Sequence, residues 1–248
     1  MRGRRNICLV VEYDGGSYHG WQRQPNGLTV QEVLEEAVRR VTGVRSPVIG
    51  SGRTDAGVHA LGQTAAFRTD HPLAGELFAK ALNANLPADV RVLASREVAP
   101  SFHPQYDAVG KTYLYLILNR PQGNALLRGR VWHLRPPLDA GAMAAAARAL
   151  VGEHDFSAFR SSSCNASSPV RRLDLLQVER RGALLELTFR GNGFLKNMVR
   201  NLTGTLVQAG LGQIPPEEVA AILQGRERSA AGPCAPPWGL YLVSVAYG

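Results

Sequence analysis

Apolar positions recur along this chain with two periods, about 2 and about 3.6, in alternating segments. Residues 6–13, NICLVVEY, are apolar and β-branched enough for a first strand. Thr29-Val-Gln-Glu32 has the capping-box pattern, so a helix is predicted over 30–42, with Gly43 ending it. Val33, Leu34, Ala37, Val38 and Val41 give that helix its apolar face. Residues 48–50 lead into a glycine-punctuated loop, and 63–68 leave it as a strand. Residues 73–82 read as helix and 90–98 as strand. The run SFHPQYDAVGK, 101–111, reads as a linker, and a second set of elements follows it. Residues 111–118 alternate as a strand, and Asp139 is placed to cap an alanine-rich helix through Leu150. Residues 170–180 and 184–190 form a hairpin around Arg181-Gly182. Residues 194–209 are predicted helical with Phe194, Met198 and Leu202 as the buried stripe. Pro215-Pro216 opens a shorter helix through Gln224, and 240–246 is a closing strand. The result is two α/β halves, 1–105 and 106–248, of similar content and without a visible internal repeat.

Length and charge narrow the class. At 248 residues the chain can bury a sizeable core, as one large domain or two smaller ones. Its net charge is +8, which favours an anionic partner, nucleic acid first. Residues 1–105 carry 12 basic and 10 acidic side chains, a net +2; residues 106–248 carry 16 and 10, a net +6. Only Lys80, Lys111 and Lys196 are lysines. Arginine suits bidentate phosphate contacts, although genomic base composition or a hot habitat gives the same bias. Cys8, Cys164 and Cys234 have no framework spacing, which points to reduced thiols and a cytoplasmic setting. The apolar run 7–11 is too short for a signal-peptide core or a membrane span.

The densest chemistry lies in GSGRTDAGVHALGQ, residues 50–63. Asp55 stands there with Arg53 two residues before it and His59 four after. Gly50, Gly52 and Gly57 allow tight or left-handed backbone, so Asp55 sits on a shaped loop rather than a helix face. A nearby guanidinium favours an ionised carboxylate, as a nucleophile or general base requires; a solvated surface turn is the alternative. The glycines do not make G-x-G-x-x-G, and Val58-His59 stand where a phosphate loop needs Lys and Ser/Thr. The histidines and cysteines show no metal-ligand spacing, so no metal site is expected. The serine-rich run 160–172 reads as a mobile loop, or as an arm whose Arg171 and Arg172 meet phosphate.

Three further segments stand beside this loop: EYDGGSYHGWQRQ (12–24), GKTYLY (110–115) and GNGFLKNMVRNLTGTL (191–206). Together the four resemble the bacterial tRNA pseudouridine synthase A family. The resemblance covers essentially the whole chain, including GEHDFSAFR (152–160) and GLYLVSVAY (239–247). It implies an α+β pseudouridine synthase fold: two related α/β halves joined by a mostly antiparallel central sheet with flanking helices. It implies an isomerase converting uridines 38, 39 and 40 of the tRNA anticodon stem-loop to pseudouridine, as a homodimer without cofactor or catalytic metal.

The resemblance also assigns roles. Asp55 matches the catalytic aspartate and Tyr113 the active-site tyrosine, which stacks on a flipped uracil or moves a proton. Arg200 is expected to pair with Asp55, and Arg53 to displace the target base. Breaking a glycosidic bond leaves oxocarbenium character that a carboxylate stabilises or captures. Attack on the pyrimidine ring and an elimination to a glycal are equally open. Without the resemblance, Tyr113 and Tyr115 read as paired core aromatics, and Arg200 as part of a solvated helix face. Trp21, Gln22 and Arg23 are placed to face RNA, with Trp21 as a core anchor an equal reading. His59 is a further RNA contact or a structural loop histidine. Two other functions compete: an RNA-binding chaperone without catalysis, and a glycosidase acting on a small nucleoside. The first leaves the Asp55, Tyr113 and Arg200 set without a purpose; the second wants a second carboxylate near Asp55.

Overall fold

A computed structural model describes residues 4–248. In chain order the elements are β1 (Arg5–Tyr13), α1 (Val30–Thr42), β2 (Ile49–Gly50), β3 (His59–Thr69), α2 (Phe78–Asn83), β4 (Val90–Val98) and β5 (Ala108–Asn119). There follow β6 (Trp132–Leu134), α3 (Ala140–Arg148), β7 (Gly152–Asp155), β8 (Val170–Arg181) and β9 (Leu184–Gly191). The chain closes with α4 (Met198–Gly210), α5 (Glu218–Gly225) and β10 (Leu240–Tyr247). The fold is α+β, with strands that pair mostly antiparallel. Two compact units form, Met1–Val109 with Tyr241–Gly248, and Gly110–Leu240. The sequence reading divides the halves at 105/106; here the units meet in the chain at 109/110, and the last eight residues belong with the first unit.

In the first unit β1 is the middle strand, antiparallel to β3 on one side and β4 on the other. Ile7, Leu9 and Val11 are fully buried, and Asn6 and Cys8 of the opposite face are nearly so, so the first half of β1 is covered on both faces. Such a strand reads as a continuous apolar run, which is how ICLVV reads. α1 starts and stops where its end signals lie: Thr29 accepts from the Glu32 N–H, and Gly43 takes a left-handed φ of 77°. Val30, Leu34, Ala37 and Val38 form its buried stripe, with Val33 and Val41 only half-buried. Residues 73–82 hold a 3-10 turn, Gly75–Leu77, before α2. The Ser95 hydroxyl of β4 explains the later start, because it accepts from the Ala79 N–H and donates to the Gly75 carbonyl. This tertiary cap is invisible to local periodicity.

In the second unit β5 pairs with β9, β9 with β8 and β8 with β7, all antiparallel. β6 runs parallel to the end of β5. Gly182, φ 62°, makes the expected β8–β9 turn. Asp139 caps α3 by accepting from the Ala142 N–H at 3.0 Å. α4 begins at Met198, four residues later than expected. Asn197 adopts φ 62°, which no helix interior holds, so 192–197 is a connection from β9 and Phe194 leaves the predicted stripe. Met198 and Leu202 are fully buried as predicted, but so is most of the helix on its other sides. Gly210 explains one close approach: a Cβ there would lie 2.7 Å from Met143 of α3. Strand β8 already contains Arg171 and Arg172, so the serine-rich loop ends before them. The short strands β2, β6 and β7 carry too few residues for a periodic signal.

Candidate active site

The Asp55 loop is fixed by its backbone. The Trp21 N–H donates to the Thr54 carbonyl at 3.1 Å, and the Val58 N–H to the Asp55 carbonyl at 3.1 Å. Below the loop, Ser51 donates to Gln63 Oε1 at 2.6 Å, and Gln63 Nε2 donates to the Gly52 carbonyl at 2.9 Å. Tyr13 OH and Thr54 Oγ1 lie 2.8 Å apart in the core. Burial pushes the Tyr13 hydroxyl up to about 12, against hydrogen bonds from Thr54 and Gln63 that lower it. Two glycines let the 14–20 segment pass close. A Cβ on Gly15 would lie 2.0 Å from the Val58 carbonyl oxygen, and one on Gly20, φ 85°, 2.5 Å from the Thr54 oxygen. Of Gly50, Gly52 and Gly57, only Gly57 is left-handed, φ 78°; Gly50 is needed for space, against the Trp21 indole. The side chain of Asp55 is half-buried and Arg53 is exposed.

In the second unit, Tyr113 lies on β5 opposite Phe189 of β9 and is 8% exposed. Its ring meets Phe194 edge-on at 5.0 Å between centroids. Tyr115, two residues on, is fully buried and donates to the Pro236 carbonyl at 2.7 Å. Burial raises its pKa, and the Arg200 charge opposes that. Lys111 also lies on β5, with its pKa lowered by burial. Arg200 is half-buried on the first turn of α4. Its Nε donates to the Ala235 carbonyl at 2.7 Å, while the Ala235 N–H donates to the Arg200 carbonyl at 3.1 Å. The 228–236 segment is laced onto α4 by further bonds: Gly232 N–H to Thr205 Oγ1 at 2.9 Å, and Arg228 to Asn201 Oδ1 at 3.0 Å. This strap, AGPCAP with its flanks, sets the orientation of Arg200, and in the sequence its Gly and Pro content signals only a loop.

The remaining candidate residues are dispersed. Trp21 is 2% exposed and packs against Tyr13 and Gly50, as the core-anchor reading has it. Gln22 and Arg23 face solvent; Gln22 donates to Gln31, and Arg23 pairs with Glu35 at 3.1 Å. His59 is 2% exposed and begins β3 rather than lying on a loop. Its Nδ1 lies 3.0 Å from both the Gly15 N–H and Asp14 Oδ1, and its ring stacks on Tyr241 at 4.8 Å. One nitrogen cannot serve both neighbours; accepting from the Gly15 amide requires Nδ1 without a proton. His59 thus clamps the 14–16 turn against the loop. Arg171 bonds the Ser168 and Val170 carbonyls, and Arg172 pairs with Asp174 at 2.8 Å. Among the described residues no three His, Cys, Asp or Glu side chains cluster to hold a metal. No helix among them is long and apolar enough to cross a membrane.

A sequence model of the family described as tRNA pseudouridine synthase, a class of isomerases, matches residues 9–107 and 146–248. A tRNA pseudouridine synthase A of Citrifermentans bemidjiense is 50% identical over 244 residues, covering 98% of both chains. One of Acetivibrio thermocellus is 46% identical over 98% of this chain and all of its own, and one of Geobacter sp. 48% identical over 98% and 99%. The chain belongs to the tRNA pseudouridine synthase A family.

Proposed function

We propose that this chain isomerises uridines 38, 39 and 40 of the tRNA anticodon stem-loop to pseudouridine, with Asp55 as the nucleophile. The reaction breaks the bond from the sugar C1′ to N1 of uracil and forms one from C1′ to C5. The C5 proton leaves and N1 gains one, so the product is an isomer and no redox partner or energy source is consumed. A uridine in a stem must first leave the stack, at a cost of a few kcal/mol. Arg53, exposed beside Asp55, is assigned to displacing the base. Tyr113 stacks on the flipped uracil and assists proton transfer. Arg200 is assigned to pairing with the Asp55 carboxylate. A guanidinium partner keeps a carboxylate ionised, which capture of the sugar, attack on the ring and elimination to a glycal all need.

One observation supports this reading most: the backbone on either side of Asp55 is hydrogen-bonded in place, while its side chain is only half-buried. A carboxylate held that way meets a substrate without reorganising, which is the geometric condition for effective catalysis. A chaperone would have no use for such a fixed acid. We extend the proposal to a homodimer as the active form, which sedimentation velocity tests. The experiment for the target positions is pseudouridine mapping in tRNA from cells with and without this protein. Loss of pseudouridine confined to 38–40 is expected; unchanged signals there would overturn the assignment.

A further inference from the structure

Between residues 108 and 138 the sequence has five cations, Lys111, Arg120, Arg128, Arg130 and Arg135, and no acidic residue. Residues of this stretch, together with Trp238, line a pocket of about 800 Å³ wholly within the second unit. Leu118, Leu127, Trp132 and Trp238 give it apolar walls, and His133 and Arg128 also line it. That volume lies in the range of small-molecule sites, which are mostly apolar with a few placed polar groups. Leu118 is five strand residues from Tyr113, roughly 17 Å along β5, so this is not the pocket of the candidate catalytic tyrosine.

The walls are built features. Trp132 stands edge-on to Tyr115 at 6.2 Å. Trp238 occupies a 3-10 turn between Pro237 and Gly239; a Cβ on Gly239 would lie 2.8 Å from the Tyr115 ring, so only glycine lets the turn sit there. Trp238 keeps 43% of its surface exposed in that position. The 120–130 loop is held by its own bonds: Arg120 donates to the Gln122 and Gly123 carbonyls, His133 Nε2 lies 2.8 Å from the Arg120 carbonyl, and Asn124 accepts from the Leu126 and Leu127 amides.

We propose that this pocket takes an unstacked base of the bound tRNA, away from the site of isomerisation, with Arg128 meeting the adjoining phosphate. An indole wall with an arginine in the same lining suits a splayed nucleotide, because every base has a π-face and every nucleotide a phosphate. Charge favours RNA over a second copy of the chain: Arg128 lines the pocket with no acidic residue beside it, and an isologous contact there would bring the two Arg128 side chains together. The inference rests on tRNA being the substrate, but not on the isomerisation.

The test is the affinity of an unmodified tRNA transcript, read by fluorescence anisotropy, for wild type, Trp238→Ala, Trp238→Phe and Arg128→Gln. Trp238→Ala is expected to weaken binding about tenfold, with Trp238→Phe staying within about threefold because its ring still stacks. Arg128→Gln should weaken binding and lower the salt dependence by about one counterion. Wild-type affinity in Arg128→Gln would overturn the proposal even if Trp238→Ala fails to fold. So would a Trp238→Phe variant as weak as a folded Trp238→Ala, or a Trp238 variant that changes sedimentation and leaves tRNA affinity alone. Tritium release from uracil C5 is measured in parallel. A wild-type protein that binds tRNA without releasing tritium sinks the isomerase reading and leaves this one standing.

Discussion

At Asp55 the proposed chemistry depends on neighbours that carry no chemistry themselves. Gly20 has φ 85° and packs under the Thr54–Ala56 backbone, so Gly20→Ala adds both left-handed strain and a clash. We expect it to cost about 1–3 kcal/mol of stability, and to lower turnover beyond what that loss explains, because Asp55 moves with the backbone. Thermal melting alongside single-turnover rates separates the two effects, and a wild-type rate would contradict the account of the loop. Tyr113→Phe is expected to bind tRNA normally and lose most turnover; unchanged rates would remove the hydroxyl from the mechanism and leave stacking. Asp55 was legible because its spacing to Arg53 and three glycines is unusual. Gly20 was not, because what constrains it is a carbonyl 34 residues away in sequence. The burial of Trp21 and His59 was likewise undecidable from their neighbours in the chain.

Among the elements, α1 and α4 show the limits of reading a helix from its pattern. α1 announces both ends, through Thr29 and Gly43, and its bounds follow. α4 keeps only Met198 and Leu202 of its predicted stripe, has no side-chain cap, and its start is set by Asn197 in a left-handed conformation that periodicity does not encode. Its surroundings are also hidden from the sequence, because the strap that holds Arg200 comes from residues near 235. Gly204 marks the contact: a Cβ there would lie 1.7 Å from the Pro233 carbonyl oxygen. Gly204→Ala should therefore lift the strap, with a loss of at least about 2 kcal/mol in denaturant unfolding. Residual activity should fall further than for a core substitution of equal cost in α1, since Arg200 loses its carbonyl anchor. Equal activity losses at equal stability would argue that the strap only fills space.

For the whole molecule, buried phenols contribute to the response to alkali. Burial pushes Tyr13 and Tyr247 each up to about 12. In the unfolded chain such a group releases its proton near pH 10. Between about pH 10 and pH 12 the unfolded state therefore binds fewer protons than the folded one, and stability falls as pH rises. The stabilisation is complete below that window. The tyrosine share of stability should be lost between about pH 10 and pH 12, and Tyr13→Phe should flatten that part of the drop in the thermal midpoint. An identical pH profile for that variant would contradict the assignment to Tyr13.

Charge was the whole-molecule property most legible in the sequence: the net +8 and its weighting toward residues 106–248 point to a polyanion. The family points to tRNA as that polyanion, and one fixed carboxylate is proposed to do the chemistry on it. The direct measurement is tritium release from uracil C5 of a tRNA transcript by Asp55→Asn, with tRNA affinity taken on the same preparation. Affinity near wild type and almost no release are expected, because the amide keeps the shape and loses the charge. Release at the wild-type rate would contradict that role for Asp55.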